Sequence, residues 1–314
     1  MRFVFRKVGL LVLTILLTSL IVFAITQLLP GDIARVILGR EAGEAAITEL
    51  RVELGLNEPI LVQYGRWLVN FVQGDWGQSF STHADVFTLV IERLRNSLML
   101  AAVILVISIP IAVALGVIAG LHEEKSVDHV ISVGSLSFVG LPEFITGLLL
   151  IEIFAFRLGL LPANSTIRVD AGFLEALPML ILPAATAALV LLAYVARLTR
   201  TGVIEELKKP YVRTAKLKGL PKYTVTYRHV LRNALIPTIT VIAISFGWML
   251  SGLIVIENVY NYPGLGRLLV FAIERRDIPL VQAITLITVF VFLLANLAAD
   301  LIHIRLNPRI NITN

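Results

Sequence analysis

Long apolar runs alternate with shorter polar segments along the whole chain. Six runs carry few charged residues or none, and each has roughly the 20 residues that a helix needs to cross a hydrocarbon core of about 30 Å. These runs are Val8–Gly31, Ser97–Leu121, Val130–Ile151, Ala176–Ala196, Asn233–Ile256 and Ile278–Ala299. A backbone in lipid must satisfy its own hydrogen bonds, so the pattern predicts an all-α integral membrane protein with six transmembrane helices. Buried helices of a soluble protein would show a polar face, which these runs lack.

The composition supports a membrane location. Of the 314 residues, 57% are hydrophobic and only 16% are charged, and the mean hydropathy is +0.85; soluble domains are near one quarter charged. The first run follows Arg2, Arg6 and Lys7, as a signal peptide would, but it is too long and no small-residue cleavage site follows. We therefore expect a retained first helix. The absence of cysteine excludes disulfides and thiolate metal sites.

The distribution of lysine and arginine predicts the orientation. Six spans place both termini on one side, and that side is cytoplasmic if it carries the excess of basic residues. The inside segments would then hold 16 basic residues in 61 positions, against 11 in 107 positions outside. The inside segments are 1–7, 122–129, 197–232 and 305–314. This bias accounts for the net charge of +5 without nucleic-acid binding, since no basic cluster is interleaved with aromatics.

The chain divides into three parts on this interpretation. Residues 1–31 form the first transmembrane helix, 32–93 an extracytoplasmic segment, and 94–314 a five-helix core. In the middle part, apolar residues fall on one helical stripe after Pro59, which favours short amphipathic helices at the outer surface. The stripe consists of Ile60, Tyr64, Trp67, Leu68 and Phe71. The alternative is a loosely folded loop.

The inside segment 197–232 has its own pattern. Val212–Lys218 suits a short helix, and Gly219 is placed to end it because glycine adopts the left-handed conformation without steric cost. Pro221 follows, and a second helix from Lys222 to about Arg232 would lead into the fifth span. From the pattern alone, a plain basic loop is as good an interpretation.

Two stretches of this segment resemble a known family. The sequence Tyr211-Val-Arg-Thr-Ala-Lys-Leu-Lys-Gly219-Leu, followed by His229-Val-Leu-Arg-Asn-Ala-Leu-Ile-Pro237, is similar to the EAA loop of ABC importer permeases. It is closest to the dipeptide/oligopeptide/nickel branch, in which Arg-Thr-Ala replaces Glu-Ala-Ala, and specifically to the first, B-type permease. Further similar segments are Leu29-Pro-Gly-Asp32, Gly74-Asp-Trp-Gly-Gln-Ser79, Pro142-Glu-Phe144 and Asn307-Pro-Arg309. Asn307 and Arg232 depart from the usual Asp and Pro.

The resemblance implies a type I ABC importer permease fold in the cell (inner) membrane of a bacterium or archaeon. It implies as partners a second homologous permease, two cytoplasmic ATPase domains, an extracytoplasmic solute-binding protein and the lipid bilayer. The chain has no Gly-x4-Gly-Lys-Ser/Thr phosphate loop. We therefore expect a non-catalytic subunit without a cofactor of its own, with ATP and Mg in the partner subunits.

The short helix of 197–232 would be the coupling helix that docks on one ATPase. The residues that the resemblance assigns to this contact are Arg213, Thr214, Ala215, Leu217, Gly219 and Leu220. Small side chains permit close approach, the leucines offer apolar contact, and Gly219 fixes the turn. Arg213 would pair either with a carboxylate of the ATPase or with Glu205 or Glu206 of its own chain.

Candidate residues of the translocation path are fewer. Glu143 lies about 13 residues from the inner end of its run, roughly 20 Å along a straight helix and so near the bilayer centre. Pro142 before it would permit a bend. Glu143 either lines the path, where it would meet a peptide's amino terminus, or bonds a neighbouring helix. Ser245, Trp248 and Ser251 of the fifth span either line the path or pack against another helix, and Gly116 and Gly120 favour packing.

The function expected from the sequence is inward transport of di- or oligopeptides, driven by separate ATPase chains. The same machinery could carry a nickel chelate, glutathione or an oligosaccharide instead. A stand-alone secondary transporter would more often show repeated halves and several paired charges in its spans. A membrane enzyme would need clustered His, Asp or Glu at the membrane edge, and the five histidines show no such spacing.

Overall fold

The computed structural model describes residues 2–28, 35, 42–53, 55–166 and 173–306. The regular secondary structure in these ranges consists of helices. In chain order they are α1 (Arg2–Leu28), α2 (Glu44–Glu53), α3 (Ile60–Gln73), α4 (Val86–Leu121), α5 (Ser126–Val139), α6 (Glu143–Leu150), α7 (Phe173–Leu207), α8 (Pro210–Leu217), α9 (Lys222–Thr224), α10 (Leu231–Val259), α11 (Leu265–Glu274) and α12 (Ile278–Leu306). Two π-helical segments, Ile151–Arg157 and Val225–Val230, follow α6 and precede α10. The all-helical prediction is confirmed for these ranges.

Four single helices of the described ranges are long and apolar enough to cross a membrane. They are Arg6–Gln27, Val86–Leu121, Leu174–Leu207 and Ile278–Leu301, which match four of the six predicted runs. The predicted run Asn233–Ile256 lies within α10, and for several residues of that helix only the backbone is described. A fifth candidate span is a bent pair of helices.

The predicted run Val130–Ile151 is divided between two helices. α5 ends at Val139, and α6 begins at Glu143 after a bend of 104°. Pro142 precedes α6 with φ −59° and ψ 137°, outside the helical region. Proline lacks the N–H that would continue the hydrogen-bond ladder, and it disfavours helical geometry in the residue before it. The expected bend at Pro142 is therefore present and is sharp enough to break the span.

The chain forms two compact units, one from Met1–Arg95 and Leu268–Val291, the other from Asn96–Arg267 and Phe292–Asn314. In the first unit, α3 confirms the helix predicted after Pro59. Its aromatic stripe packs on α1, with ring centroids 5.5 Å apart for both Phe23–Tyr64 and Phe23–Trp67. The Tyr64 hydroxyl lies 2.8 Å from the Ser19 hydroxyl. Phe71 stacks on Trp76 at 4.7 Å beyond the end of α3.

The second unit is organised around α7, which packs against α4, α5, α6 and α10. Gly116 and Gly120 of α4 confirm the packing interpretation. A Cβ at Gly116 would lie 2.5 Å from the Ala196 carbonyl oxygen, and one at Gly120 would lie 2.8 Å from Val203. The two glycines therefore permit the close approach of α4 and α7.

A buried carboxylate fixes the start of α11 in the same unit. Glu257 is fully buried and accepts hydrogen bonds from the Ser97 hydroxyl at 2.5 Å and from the Arg267 backbone N–H at 3.0 Å. The Ser97 hydroxyl in turn accepts the Leu265 N–H at 2.8 Å. A carboxylate at a helix N-terminus satisfies N–H groups that have no partner within the helix. Glu257 therefore joins the end of α10, the start of α11 and α4.

Candidate functional site

The first candidate site is the short helix α8 with the turn that follows it. α8 covers Pro210–Leu217, with proline in its first turn, where the missing N–H costs nothing. Gly219 has φ +74°, and its N–H bonds the Lys216 carbonyl at 3.0 Å. A short helix with a left-handed glycine after it is what the sequence predicts, with the helix starting two residues earlier than expected.

α8 has a buried face and an exposed face. Val212 and Ala215 are buried in an apolar cluster with Val203, Val225, Val230 and Ala234. Arg213, Thr214, Leu217, Gly219 and Leu220 are exposed, and Leu217 is 80% exposed. Leu217 is an exposed apolar side chain at the end of a helix whose other face is firmly packed. Such a side chain can enter a groove on another protein. The small size of Ala215, by contrast, serves packing within this chain.

Arg213 has no ion pair or hydrogen bond with the described residues, so its predicted pairing with Glu205 or Glu206 is not seen. Glu206 has other partners: the Lys209 ammonium lies 2.5 Å from its carboxylate, and the Tyr211 hydroxyl donates a short hydrogen bond to it. The guanidinium of Arg213 therefore remains available for a carboxylate on another chain.

Tyr211 begins the motif of this segment, but the sequence did not indicate its hydrogen-bond partners. Its hydroxyl lies 3.1 Å from the His229 carbonyl oxygen and accepts the Asn233 side-chain amide at 3.0 Å. Burial, with the neighbouring Glu206, raises the pKa of the Tyr211 hydroxyl. These contacts connect residues up to 27 positions apart in the chain, so no local sequence pattern predicts them.

The second candidate site surrounds Glu143. Glu143 lies in the first turn of α6, is half-buried, and makes no hydrogen bond or ion pair with the described residues. Together with Ser245 of α10 it lines a cavity of about 30 Å³ whose other walls are apolar. Such a space holds about one water molecule. The predicted height of roughly 20 Å along a straight helix no longer applies, because α5 and α6 do not form one.

The structure describes only some of the other residues proposed for the translocation path. Pro142 is exposed at the bend before α6. Trp248 and Ser251 lie on α10, but their side chains are outside the part of the structure that is described. Gly247 packs on α12, since a Cβ there would lie 3.2 Å from the Phe292 ring.

An ion pair near the end of α7 was likewise not predicted from the sequence. Arg200 donates two hydrogen bonds to Asp128 at the start of α5, from Nε at 2.5 Å and from Nη2 at 2.6 Å. The Glu124 backbone N–H adds a third bond to the same carboxylate at 3.0 Å. Asp128 is only 1% exposed, so its charge depends on these donors.

Metal ligation has no support in the described ranges, where no group of three His, Asp or Glu residues has suitable geometry. The two sites therefore offer a short helix with an exposed face and a half-buried carboxylate, and neither presents a paired nucleophile and base among the described residues.

Family models match both halves of the chain. Residues 112–312 match the model of the binding-protein-dependent transport system inner membrane component, and residues 1–101 match the model of the N-terminal part of that component. The chain belongs to this family. It is a non-catalytic permease subunit of an ABC importer and a multi-pass protein of the inner membrane, and its family works with an ATPase and a binding protein.

Relatives match over the full length. A probable peptide ABC transporter permease protein of Sinorhizobium fredii is 34% identical over 308 residues, 98% of both chains. The glutathione transport system permease protein GsiC of Escherichia coli is 37% identical over 310 residues, 99% of both chains. These relatives agree with the dipeptide/oligopeptide/nickel branch indicated by the loop around Arg213 and Gly219.

A solved structure shares the fold. The crystal structure of an amino acid ABC transporter with histidines superposes with a TM-score of 0.53 and 19% identity, over 69% of this chain and 94% of that one. At this identity the likeness shows an ABC transporter permease fold alone.

Proposed function

We propose that this permease carries di- or oligopeptides inward and that α8 is its coupling helix. The permease would have six spans with both termini in the cytoplasm. It would pair with a second homologous permease, two cytoplasmic ATPase domains that hold ATP and Mg, and an extracytoplasmic binding protein. When the ATPases close on ATP, they would move the coupling helices together, and the two bundles would open toward the loaded binding protein.

The observation that carries the proposal is the two-faced geometry of α8. Its inner face is fixed by Val212 and Ala215 in the chain's own apolar cluster, while Leu217, Gly219 and Leu220 remain exposed beside it. A coupling element needs both properties, because it must fit a partner's groove and pass the partner's movement to the spans. Arg213 adds a positive charge without a partner in the described ranges.

Two features support the second permease and the six-span topology. The helix α5 exposes Val130, Val133 and Leu136, an apolar surface that lipid or another permease would cover. The higher density of basic residues in segments such as 197–232 supports a cytoplasmic position for α8.

Peptide cargo is supported by chemistry shared between the two relatives. One relative is named as a peptide permease and the other as a glutathione permease, and glutathione is itself a tripeptide. Glu143, half-buried beside a small cavity, offers a carboxylate that complements the amino group common to such solutes. Glutathione is the first alternative cargo, followed by nickel chelates and oligosaccharides.

The proposal is tested by reconstitution of the permease with its ATPases, second permease and binding protein in liposomes. We expect ATP-dependent uptake of a labelled dipeptide, with competition by other free peptides and none by a nickel chelate or an oligosaccharide. Stronger competition by glutathione would reassign the cargo. Uptake by the permease alone, without ATPase, would indicate a secondary transporter and contradict the proposal.

A further inference from the structure

Three segments of the chain meet at one hydroxyl group. Tyr211, the second residue of α8, donates to the carboxylate of Glu206 in the last turn of α7. Asn233, at the start of α10, donates its side-chain amide to the Tyr211 hydroxyl at 3.0 Å. The carbonyl of His229, in the π-helical segment before α10, lies 3.1 Å from the same oxygen. This hydroxyl therefore contacts both helices between which α8 is inserted.

The single hydroxyl proton is best assigned to Glu206. A charged carboxylate accepts a hydrogen bond more strongly than a neutral carbonyl does, and Glu206 is 5% exposed, so water competes little. The Asn233 amide then serves both the Tyr211 hydroxyl and, at 3.4 Å, the His229 carbonyl. Burial raises the pKa of Tyr211, so the proton stays in place through the neutral range.

The remaining contacts of α8 have a different character. Val212 and Ala215 pack in an apolar cluster, and apolar packing is not directional. An eight-residue helix held by such contacts alone can tilt or slide when it is pulled at its exposed end. Hydrogen bonds have a narrow range of favourable distances and angles, so the Tyr211 contacts oppose that movement.

We propose that the Tyr211 hydroxyl is a positioning group that makes α8 move as one body with α7 and α10, so that ATP hydrolysis remains coupled to solute transport. The proposal rests on the coupling role of α8 and adds to it a residue away from the docking face. Tyr211 acts through Glu206 and Asn233, so its role is to position α8 and not to take part in catalysis.

The first test compares Tyr211→Phe with Tyr223→Phe in the reconstituted complex. Both changes remove one hydroxyl and keep the ring. Tyr223 is 71% exposed, its ring lies 4.4 Å from the Tyr227 ring, and its hydroxyl makes no hydrogen bond with the described residues. We expect Tyr211→Phe to assemble normally, to keep its ATPase activity, and to move about tenfold less solute per ATP, as expected for the loss of a hydrogen bond to a charged group. Tyr223→Phe should match the wild type.

The second test reports on α8 itself. Because the chain has no cysteine, spin labels can be placed at Thr201→Cys on α7 and Lys216→Cys on α8, both exposed positions. With Tyr211 present, the distribution of label distances should stay narrow with and without ATP. With Tyr211→Phe it should broaden when ATP is added, which a purely local packing role would not produce.

Two results would overturn the proposal: an unchanged ratio of solute to ATP in Tyr211→Phe, or a narrow distance distribution in that variant with ATP bound. A proportional fall of uptake and ATP hydrolysis leaves the ratio unchanged and so counts against it as well.

Gly219→Val separates this proposal from the one on which it rests. If Gly219→Val uncouples transport and Tyr211→Phe does not, the hydroxyl has no positioning role but α8 still couples; if neither does, the coupling role of α8 fails.

Discussion

At the scale of single residues, Gly219 is where conformation matters most. Its φ of +74° is a backbone state that β-branched side chains strongly disfavour. Because no atom lies within 4 Å of a Cβ built there, the effect of a substitution is conformational and not steric within the chain. We predict that Gly219→Val abolishes uptake while the complex still inserts and binds its loaded binding protein, since the left-handed penalty of about 1–2 kcal/mol can distort the turn but not unfold the spans.

Two control variants sharpen this test, which measures uptake and ATPase activity in proteoliposomes. Gly219→Asn should retain most of the uptake, because asparagine tolerates the left-handed region better than valine does. Gly65→Val places the same side chain on α3 at an open position without positive φ and should be neutral. Wild-type transport by Gly219→Val would remove this turn from the coupling mechanism.

Glu143 allows a test of the cargo at the same scale. Its carboxylate has no partner among the described residues and borders a cavity with Ser245. We predict that Glu143→Gln lowers uptake of free-amine peptides severalfold and leaves N-blocked peptides nearly unaffected, because only the former lose an attraction between opposite charges.

Glu152→Gln is the matched control for this experiment. Glu152 pairs with Arg157 at 3.0 Å in an exposed position and should tolerate the change. The measurement is the initial rate of uptake for the two peptide classes. An equal loss for both classes would assign Glu143 a structural role.

At the scale of helices, the Asp128–Arg200 pair joins α5 to α7. Removing one partner of a buried ion pair costs roughly 3–5 kcal/mol. Arg200 is 29% exposed, so we place the cost of Asp128→Asn near or below the lower end of that range. The variant should have a clearly lower midpoint of thermal unfolding in detergent.

The neighbouring exposed pair Glu123–Lys208, at 2.9 Å, supplies the comparison. Glu123→Gln should change stability by less than about 1 kcal/mol, so its unfolding midpoint should stay close to that of the wild type. Similar midpoints for Asp128→Asn and Glu123→Gln would mean that α5 does not depend on the buried pair.

At the scale of the whole molecule, the orientation in the membrane is open to direct measurement. Gly43 and Lys222 are both exposed, and the absence of cysteine makes a single introduced thiol unique. We predict that Gly43→Cys reacts with an impermeant thiol reagent in intact cells, whereas Lys222→Cys reacts only after the membrane is opened. The reverse pattern of labelling would invert the topology derived from the basic residues.

The sequence by itself determined the features that rest on local physics. Apolar runs identify membrane helices because lipid offers the backbone no other hydrogen-bond partner. Gly219 and the pattern before it favoured a short helix as much as a plain loop, and the family motif decided for the helix, whose end and left-handed residue depend on a few positions. Gly116 and Gly120 indicated close packing, although not its partner. The motif around Arg213 and Gly219 indicated the family, which full-length relatives then showed.

Only the tertiary structure decided what depends on residues distant in sequence. The angle of 104° at Pro142 is one such feature, because proline in the sequence predicts that a bend is permitted but not how sharp it is. Ala215 is buried and Leu217 is exposed for a second such reason, because the neighbouring segments determine which face of a short helix is covered. The contacts of Glu206 with Tyr211 and of Asp128 with Arg200 likewise required folding. A buried charge is tolerated only where partners converge on it, and such convergence is a property of three-dimensional packing that no local pattern encodes.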